Sequence, residues 1–296
     1  MVVIGRKTFI FGGENIPRVP FSNIVHCLDM DTCTWSELST TGDVPVPRFA
    51  DSAAAVGHVM YIFGGRTGIN MGEGNFNDLY AFDTRDNVWT LLKPSGVAPS
   101  PRSFHAMAVV ANRLYVFGGC VEEDRLNDLH SYDIATNTWE QQPTNEDIER
   151  RGGAGLIAVG KDLFVVAGFT GRELNDVYKY DTDSKTWSKL TLDKELPPRS
   201  VFGISSMSTF IIVWFGEVDP SGKGHLGGFS QDGYIMDTCS KAGWELMSCS
   251  GETPEARGWM PIAPCQLNDM DGVFLFGGTN FDKKRLNDCH YLSIKL

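Results

Sequence analysis

The sequence has no long apolar segment. Its longest uninterrupted run of aliphatic and aromatic residues extends only from Phe210 to Phe215, whereas a membrane-spanning helix needs about 20 such residues. The N-terminal residues MVVIGRKTFIFGG do not have the layout of a signal peptide. GxSxG, P-loop and strand–GxGxxG–helix patterns are also missing, so nothing in the sequence favours a hydrolase or a nucleotide-binding enzyme.

Cysteine pairs and excess positive charge are lacking as well. The seven cysteines are odd in number and form no CxxC pair, which favours free thiols in a reducing compartment and does not indicate a structural zinc site. We therefore expect a cytoplasmic protein. The net charge of -11 and the pI of about 5.0 argue against binding along a nucleic acid backbone, so neither nucleic acid nor a membrane is an expected partner.

An internal repeat dominates the remaining sequence. An aspartate precedes a tryptophan by six residues four times and by seven residues once, in the pairs Asp29 and Trp35, Asp83 and Trp89, Asp133 and Trp139, Asp181 and Trp187, and Asp237 and Trp244. Upstream of each pair, and once more near the end of the chain, an aromatic-rich run ends in small residues: FIFGG, YIFGG, YVFGG, VVAGF, VWFGE and FLFGG. A period of about 50 residues built from short strands is typical of kelch repeats, which form β-propeller blades.

Each repeat is predicted to contain four strands. Strand a follows a Pro-Arg or Ala-Arg pair, strand b ends in the small residues, strand c alternates polar and apolar residues, and strand d carries the tryptophan. The sequence therefore predicts an all-β protein, a six-bladed kelch β-propeller with four-stranded antiparallel blades in a single domain over residues 1–296. A β-sandwich with accidental similarity is the alternative, which six recurrences disfavour. The five aspartates are expected at equivalent turns, with the five tryptophans buried between sheets.

The last blade is expected to be incomplete. The sixth repeat reaches Leu296 without a tryptophan strand, so either this blade has three strands or the chain lacks residues upstream of Met1. A strand edge without a partner favours association with other chains, and we expect such an edge around Tyr291.

Arginines at the starts of strand a form one candidate site. Because strands in a blade run antiparallel, these residues and Arg66 are expected at one mouth of the propeller; the strand a arginines are Arg48, Arg102, Arg151, Arg199 and Arg257. A ring of arginines at the mouth is able to hold a small anion. The alternative is that they brace neighbouring blades through backbone carbonyl groups. Trp259, which follows Arg257, is expected either to line a pocket or to pack under the mouth.

The loop after the fifth strand b is the second candidate site. Its sequence, GEVDPSGKGHLGGFSQDG, places Glu217, Asp219 and His225 within nine residues. Two carboxylates and one imidazole suit a first-row divalent metal, Fe(II) especially, with open positions for a substrate. The alternative is a solvated turn around the Pro-Ser-Gly stretch.

Several of these stretches resemble the plant specifier proteins (epithiospecifier, nitrile-specifier and thiocyanate-forming proteins) and their kelch homologues. The matching stretches, which extend over essentially the whole chain, are GDVPVPR, FGGR, ERRGGAG, RSVFG, GEVDPSGKGH and ARGW. The resemblance implies a six-bladed propeller and Fe(II)-dependent action on glucosinolate aglycones released by myrosinase, which are diverted to nitriles, epithionitriles or thiocyanates. The family's metal ligands follow a Glu-x3-Asp-x3-His pattern. Glu217 and His225 match its ends, Ser221 stands in the middle, and Asp219 is the nearest carboxylate.

Two functions follow as hypotheses. In the first, the protein is a metal-assisted lyase acting on a small anionic, sulfur-containing molecule such as a glucosinolate aglycone. Its expected metal ligands are Glu217, Asp219 and His225, its anion ligands are Arg48, Arg102 and Arg151, and its pocket wall is Trp259. In the second, it is a non-catalytic kelch module that binds a protein partner through the mouth loops.

Overall fold

The computed structural model describes residues 1–219, 228–267 and 269–294, and all regular elements in these ranges are β-strands. The chain divides into two compact units, Met1–Thr144 and Asn145–Leu296, and a single domain over residues 1–296 stays a prediction. All seven cysteines are free thiols. In the described ranges, no helix has the length and apolar character that crossing a membrane requires.

The first unit contains three sheets, one for each of the first three repeats. The first repeat supplies β1 (Val2–Ile4), β2 (Lys7–Ile10), the hairpin of β3 (Glu14–Ile16) and β4 (Val19–Pro20), β5 (Val25–Asp29) and β6 (Thr34–Leu38), with the sheet order β1-β2-β5-β6. The second supplies β7 (Thr41–Gly42), β8 (Ser52–Val56), β9 (Val59–Phe63), β10 (Leu79–Asp83) and β11 (Val88–Leu92), in the order β7-β11-β10-β9-β8. The third supplies β12 (Ser95–Gly96), β13 (Ala106–Val110), β14 (Arg113–Cys120), β15 (Arg125–Asp133) and β16 (Thr138–Gln141), in the order β12-β16-β15-β14-β13.

The second unit contains the sheets of the last three repeats. The fourth repeat supplies β17 (Gly155–Val159), β18 (Asp162–Phe169), β19 (Glu173–Asp181) and β20 (Thr186–Lys189), in that order. The fifth supplies β21 (Gly203–Met207), β22 (Phe210–Trp214), the pair of β23 (Glu217–Val218) and β24 (Gly228–Phe229), β25 (Gly233–Asp237) and β26 (Trp244–Leu246), with the sheet order β21-β22-β25-β26. The sixth supplies β27 (Arg257–Gly258), β28 (Ile262–Leu267), β29 (Met270–Asn280) and β30 (Arg285–Ser293), in which β29 pairs with each of the others.

Six sheets with the predicted strand order confirm the fold class, a six-bladed kelch β-propeller with antiparallel blades. The sixth sheet differs from the others in the predicted way. It contains strands a, b and c as β28, β29 and β30, and the described residues add no tryptophan strand to β30. In the described part of the chain, β30 pairs with β29 along one edge, and its other edge has no partner strand.

Aspartate side chains build the turns between strands c and d. The Asp133 carboxylate accepts hydrogen bonds from the backbone N–H groups of Ala135 and Thr136, at 2.9 and 3.1 Å. Asn137 then adopts a left-handed conformation with φ of 52°, which asparagine tolerates well. Equivalent backbone contacts are made by Asp29, Asp83, Asp181 and Asp237. The predicted equivalence of the five turns is confirmed.

The strand d tryptophans are buried where a preceding sheet is present in the same unit. The Trp89 ring packs against Phe11 of the first sheet, and the Trp139 ring against Phe63 of the second, with ring centroids 5.1 and 5.3 Å apart. Trp244 is likewise buried against the fourth sheet. Relative exposures of 1%, 2% and 3% confirm the prediction for Trp89, Trp139 and Trp244.

The prediction of a buried tryptophan was wrong for Trp35, which is 40% exposed, and Trp187 is only half-buried. The physical reason is their place in the chain. Trp35 lies in the first sheet of the first unit and Trp187 in the first sheet of the second unit. Neither tryptophan therefore has a preceding sheet within its own unit against which its ring is buried.

Short parallel strands join successive sheets of the first unit. Strand β7 pairs with β11, and β12 pairs with β16. Gly42 has φ of 84°, and a Cβ atom there would lie 2.1 Å from the carbonyl oxygen of Trp89; Gly96 has the same φ and the same contact with Trp139. Only glycine fits such an approach, which explains the glycine upstream of the Pro-Arg pairs at Arg48 and Arg102.

Candidate functional site

The arginines at the starts of strand a are bound inside their own sheets. In the third sheet, the Arg102 guanidinium donates to both oxygens of Asp128 at 2.7 and 2.8 Å, to the Gly118 carbonyl at 3.0 Å and to the Ser100 carbonyl at 3.0 Å. The same arrangement pairs Arg48 with Asp78, Arg151 with Asp176, and Arg257 with Asp288. These four arginines have a relative exposure of 0%.

Their contacts favour the structural alternative, although the braced groups belong to the same sheet and not to a neighbouring one. A guanidinium group that is buried and already bound to a carboxylate and to backbone carbonyl groups is poorly accessible to a substrate anion. The placement therefore does not support Arg48, Arg102 and Arg151 as anion ligands, and that role stays an untested prediction. The sequence signal for the brace is the aspartate of the Asn-Asp pair in strand c, which recurs with the arginine.

The fifth sheet departs from this pattern. Arg199 donates to the carbonyl oxygens of Pro197 at 3.1 Å and Phe215 at 2.9 Å, and its guanidinium lies 4.8 Å from the centre of the Tyr234 ring. In the described residues, Arg199 has no carboxylate within ion-pair distance. Burial lowers its pKa, which the charges of Tyr234 and Asp232 partly oppose. The sheet with the unusual loop is thus also the sheet with the unusual arginine.

Backbone hydrogen bonds fix the position of Glu217. Its N–H donates to the Ser200 carbonyl at 2.8 Å, and the Ser200 N–H donates to the Glu217 carbonyl at 3.0 Å. The preceding Gly216 has φ of 104°, a conformation that favours glycine. In the third sheet the equivalent bridge joins Ser103 to Cys120. A carboxylate therefore occupies a position that the repeat holds rigidly.

Trp259 lies against Glu217. Its backbone is left-handed, with φ of 63°, and its N–H donates to the Val201 carbonyl at 2.8 Å. Burial raises the pKa of Glu217, and a hydrogen bond from the Trp259 side chain opposes the rise. The Trp259 residue is 46% exposed while Glu217 is 9% exposed. The structure thus brings together two residues that the sequence predicted for the site, and the exposed ring favours lining a pocket over packing beneath the mouth.

Glu173 is a site residue that sequence reasoning missed. It begins β19, opposite Phe169, and is 8% exposed. Neither of its carboxylate oxygens has a hydrogen-bond partner of normal geometry in the described residues. Burial raises its pKa to about 7; the Ser200 hydroxyl lies close enough to oppose the rise, and the charges of Glu217 and Asp219 add to it. The charges of two other carboxylates of the second unit therefore reach Glu173.

The signal for Glu173 was a difference between repeats. In the segment RELND, Glu173 stands at the position that Arg125 occupies in DRLND and Arg285 in KRLND. This position therefore has an acidic residue where two other repeats have a basic one, and it lies in the repeat before the one that contains Glu217. A comparison of only the residues that the repeats share does not reveal Glu173.

The described residues do not test the metal prediction. His225 and Ser221 lie outside them, and within them no group of three or more His, Cys, Asp and Glu side chains is placed to hold one metal ion. The described groups do suit a cation chemically. Glu173 and Glu217 are buried oxygen donors, and no positively charged side chain of residues 1–219, 228–267 or 269–294 contributes to the pKa of either. Buried carboxylates of this kind are costly unless a cation compensates them.

Comparisons of the whole chain agree with this architecture. The solved structure of YjhT superimposes with a TM-score of 0.78 over 99% of this chain and 93% of that chain, at 18% sequence identity, which shows the fold alone. Residues 1–216 match the family described as the KLHDC2/KLHL20/DRC7 Kelch-repeats domain. The class of protein that the fold defines is therefore the kelch β-propeller.

Proteins with similar sequences show which family of kelch β-propellers this chain belongs to. The N-(sulfonatooxy)prop-2-enimidothioate sulfolyase of Thlaspi arvense is 31% identical over 323 residues, covering 99% of this chain and 91% of that protein. Acyl-CoA-binding domain-containing protein 4 of Arabidopsis thaliana is 38% identical over 147 residues, covering 49% of this chain but only 21% of its own length. The chain belongs to the kelch-repeat specifier protein family.

Proposed function

We propose that this protein is a specifier-type lyase that uses Fe(II) to redirect the breakdown of a small anionic, sulfur-containing molecule, such as a glucosinolate aglycone, toward nitriles or thiocyanates. The name of the Thlaspi relative describes a lyase whose substrate carries an imidothioate and a sulfonatooxy group. The similarity to that protein extends over 99% of this chain, so the loop and the mouth residues fall within the matched region.

One structural observation carries the proposal: the buried Glu217 carboxylate lies beside Glu173 and Trp259, at a position that other sheets fill with Cys120 or Phe169. A repeat protein does not need a buried, uncompensated carboxylate for its folding, because equivalent positions do without one. Such groups concentrate at functional sites. The chemistry of oxygen donors next to a half-exposed aromatic ring suits a metal site with an adjoining substrate pocket.

The residues have distinct roles in this proposal. Glu217, Asp219 and His225 hold the metal, and bound Fe(II) supplies a Lewis-acidic contact for the sulfur of the substrate. Trp259 keeps the Glu217 carboxylate oriented through its hydrogen bond, and the exposed part of its ring gives the substrate an apolar wall. The burial of Glu217 limits the water around the reacting group.

Product analysis tests the proposal. Purified protein is incubated under nitrogen with Fe(II), an allyl glucosinolate and myrosinase, and the products are separated by gas chromatography and mass spectrometry. We expect nitrile or thiocyanate products to rise with protein concentration and to disappear with a ferrous chelator. The variant Glu217→Gln should lose this activity. The variant Glu245→Gln is the matched control, because Glu245 is a solvent-exposed carboxylate of the same unit. Isothiocyanate as the only product at every protein and Fe(II) concentration would contradict the proposal.

A second candidate, a peptide-binding kelch module, is favoured by one observation in the first unit. Large apolar side chains are exposed in the loops between strands b and c of its first two sheets: Ile16 at 59%, Val19 at 44%, Phe21 at 53%, Ile69 at 60% and Met71 at 37%. Exposed apolar surface of this kind often marks a protein-binding site. A peptide-display selection on the wild type tests it. Peptides that bind the wild type but not Phe21→Ser would support this function, and equal binding to both would contradict it.

A further inference from the structure

We propose that Glu173 provides a carboxylate ligand to a divalent-cation site that it shares with Glu217. This inference rests on the proposed function, because it concerns the same site, and it adds a ligand from a different sheet that the metal pattern of the loop does not include.

Burial makes Glu173 unusual among the acidic residues of this chain. With a relative exposure of 8%, it is more than nine-tenths buried, and both of its carboxylate oxygens have no hydrogen-bond partner in the part of the chain that the structure describes. The exposed Glu149, by contrast, binds Arg172 through two hydrogen bonds of 3.1 and 2.8 Å. A buried carboxylate with no donor on either oxygen is strongly unfavourable in its ionised form unless a proton or a cation binds it.

Backbone pairing holds Glu173 and Glu217 on adjacent sheets of the second unit. Glu173 pairs with Phe169 within the fourth sheet. Glu217 pairs with Ser200 within the fifth, and the Val201 N–H that follows Ser200 donates to the Gly153 carbonyl of the fourth repeat at 2.9 Å. The Ser200 hydroxyl and the Glu217 charge both act on the Glu173 carboxylate. The two carboxylates are therefore carried by directly linked elements, close enough for the charge of Glu217 to act on Glu173.

Charge points to a cation as the missing partner. Among the residues that the structure describes, no positively charged side chain acts on either carboxylate, and the charge of Asp219 also acts on Glu173. A hydrogen-bond donor would satisfy one oxygen but would leave the repulsion between the carboxylates. A divalent cation removes both problems, because carboxylate oxygens are its preferred ligands and its charge balances two of them. Glu173 thereby supplies a second fixed carboxylate where the loop has Ser221 in place of an aspartate.

Binding of Mn²⁺, followed by the loss of its free electron paramagnetic resonance signal, tests this without reference to activity. We expect one tight Mn²⁺ site per wild-type chain and an affinity at least tenfold lower for Glu173→Gln. The control Glu149→Gln, which removes an exposed carboxylate of the same unit, should bind within twofold of the wild type. Thermal unfolding gives a second readout: Mn²⁺ should raise the Tm of the wild type and of Glu149→Gln equally, and that of Glu173→Gln by clearly less at the same Mn²⁺ concentration.

The outcomes separate this inference from the proposed function. If Glu173→Gln binds Mn²⁺ as tightly as the wild type while Glu217→Gln does not, the Glu173 role is wrong and the metal-assisted function stands. If the wild type itself binds no Mn²⁺ or Fe(II), both are wrong. The metal-free Tm of Glu173→Gln shows whether it folds. If it does not, Glu173→Asp, which keeps the charge and shortens the side chain, replaces it. Weakened binding in that variant supports the inference, and unchanged binding overturns it.

Discussion

The buried arginine–aspartate pairs give the sharpest stability prediction. In Arg102→Met, the methionine side chain fills part of the space but leaves Asp128 without its bidentate partner and the Gly118 carbonyl without a donor. Burial acts to raise the pKa of Asp128, but hydrogen bonds from Arg102 and His130 outweigh it and hold that pKa below its usual range. Breaking a buried pair by removing one partner typically costs about 3–5 kcal/mol.

The chain contains a matched control for this experiment. Arg172 and Glu149 form a bidentate pair of similar geometry, but their side chains are 59% and 47% exposed. Exposed pairs contribute about 0–1 kcal/mol, so Arg172→Met should change stability by no more than that. Urea titration followed by tryptophan fluorescence measures the free energy of unfolding for both variants. Equal losses in the two variants, or a loss below about 1 kcal/mol for Arg102→Met, would refute the bracing role.

Three further predictions concern the packing, the acid response and the loop. Trp139→Ala should lower the free energy of unfolding by about 3–5 kcal/mol and Trp35→Ala by clearly less, because only Trp139 is buried; urea titrations that show equal losses would contradict this. Burial, helped by the charge of Arg102, lowers the pKa of His105 to about 3, so the folded state binds fewer protons than the unfolded state between that value and about 6.5. Stability should therefore fall by about 1.4 kcal/mol for each unit that the pH drops from 6 to 4, and His105→Phe should remove this part of the slope; an unchanged slope would contradict the assignment. Ser221→Asp should raise the Fe(II) affinity, and His225→Ala should abolish it, in anaerobic calorimetric titrations; unchanged affinities in both would exclude that loop from the site.

The features that recur in every repeat were predictable from the sequence. The strand order, the turn between strands c and d and the number of sheets follow from two recurring features. These are the small residues that end strand b and the spacing of Asp133 and Trp139. Both depend on local backbone geometry that all repeats share. The burial of Trp35 was not predictable in the same way. Trp35 follows Asp29 by six residues, as Trp139 follows Asp133, and the difference in burial arises from which sheet precedes each tryptophan within the unit.

The candidate site was predictable only in part, because some of its contacts depend on how the chain folds and not on local sequence. The departures from the repeat at Glu217 and Trp259 were visible in the sequence, and the structure places them in contact. The partner of Arg102 had a signal in the recurring Asn-Asp pair, but the pairing itself joins residues 26 positions apart and only the folded sheet shows it. Glu173 was missed because its significance lies in the absence of a hydrogen-bond donor, which only the folded chain shows.

The product ratio from a single reaction series tests the proposal that this protein uses Fe(II) to divert the aglycone from isothiocyanate. Nitriles and thiocyanates are measured against isothiocyanate while Fe(II) is raised under nitrogen at a fixed concentration of the wild-type protein, with myrosinase releasing the aglycone. For the wild type we expect a ratio that rises with Fe(II) and saturates near one equivalent per chain. For Glu217→Gln we expect the protein-free value. A ratio that stays at the protein-free value at every Fe(II) concentration would contradict it.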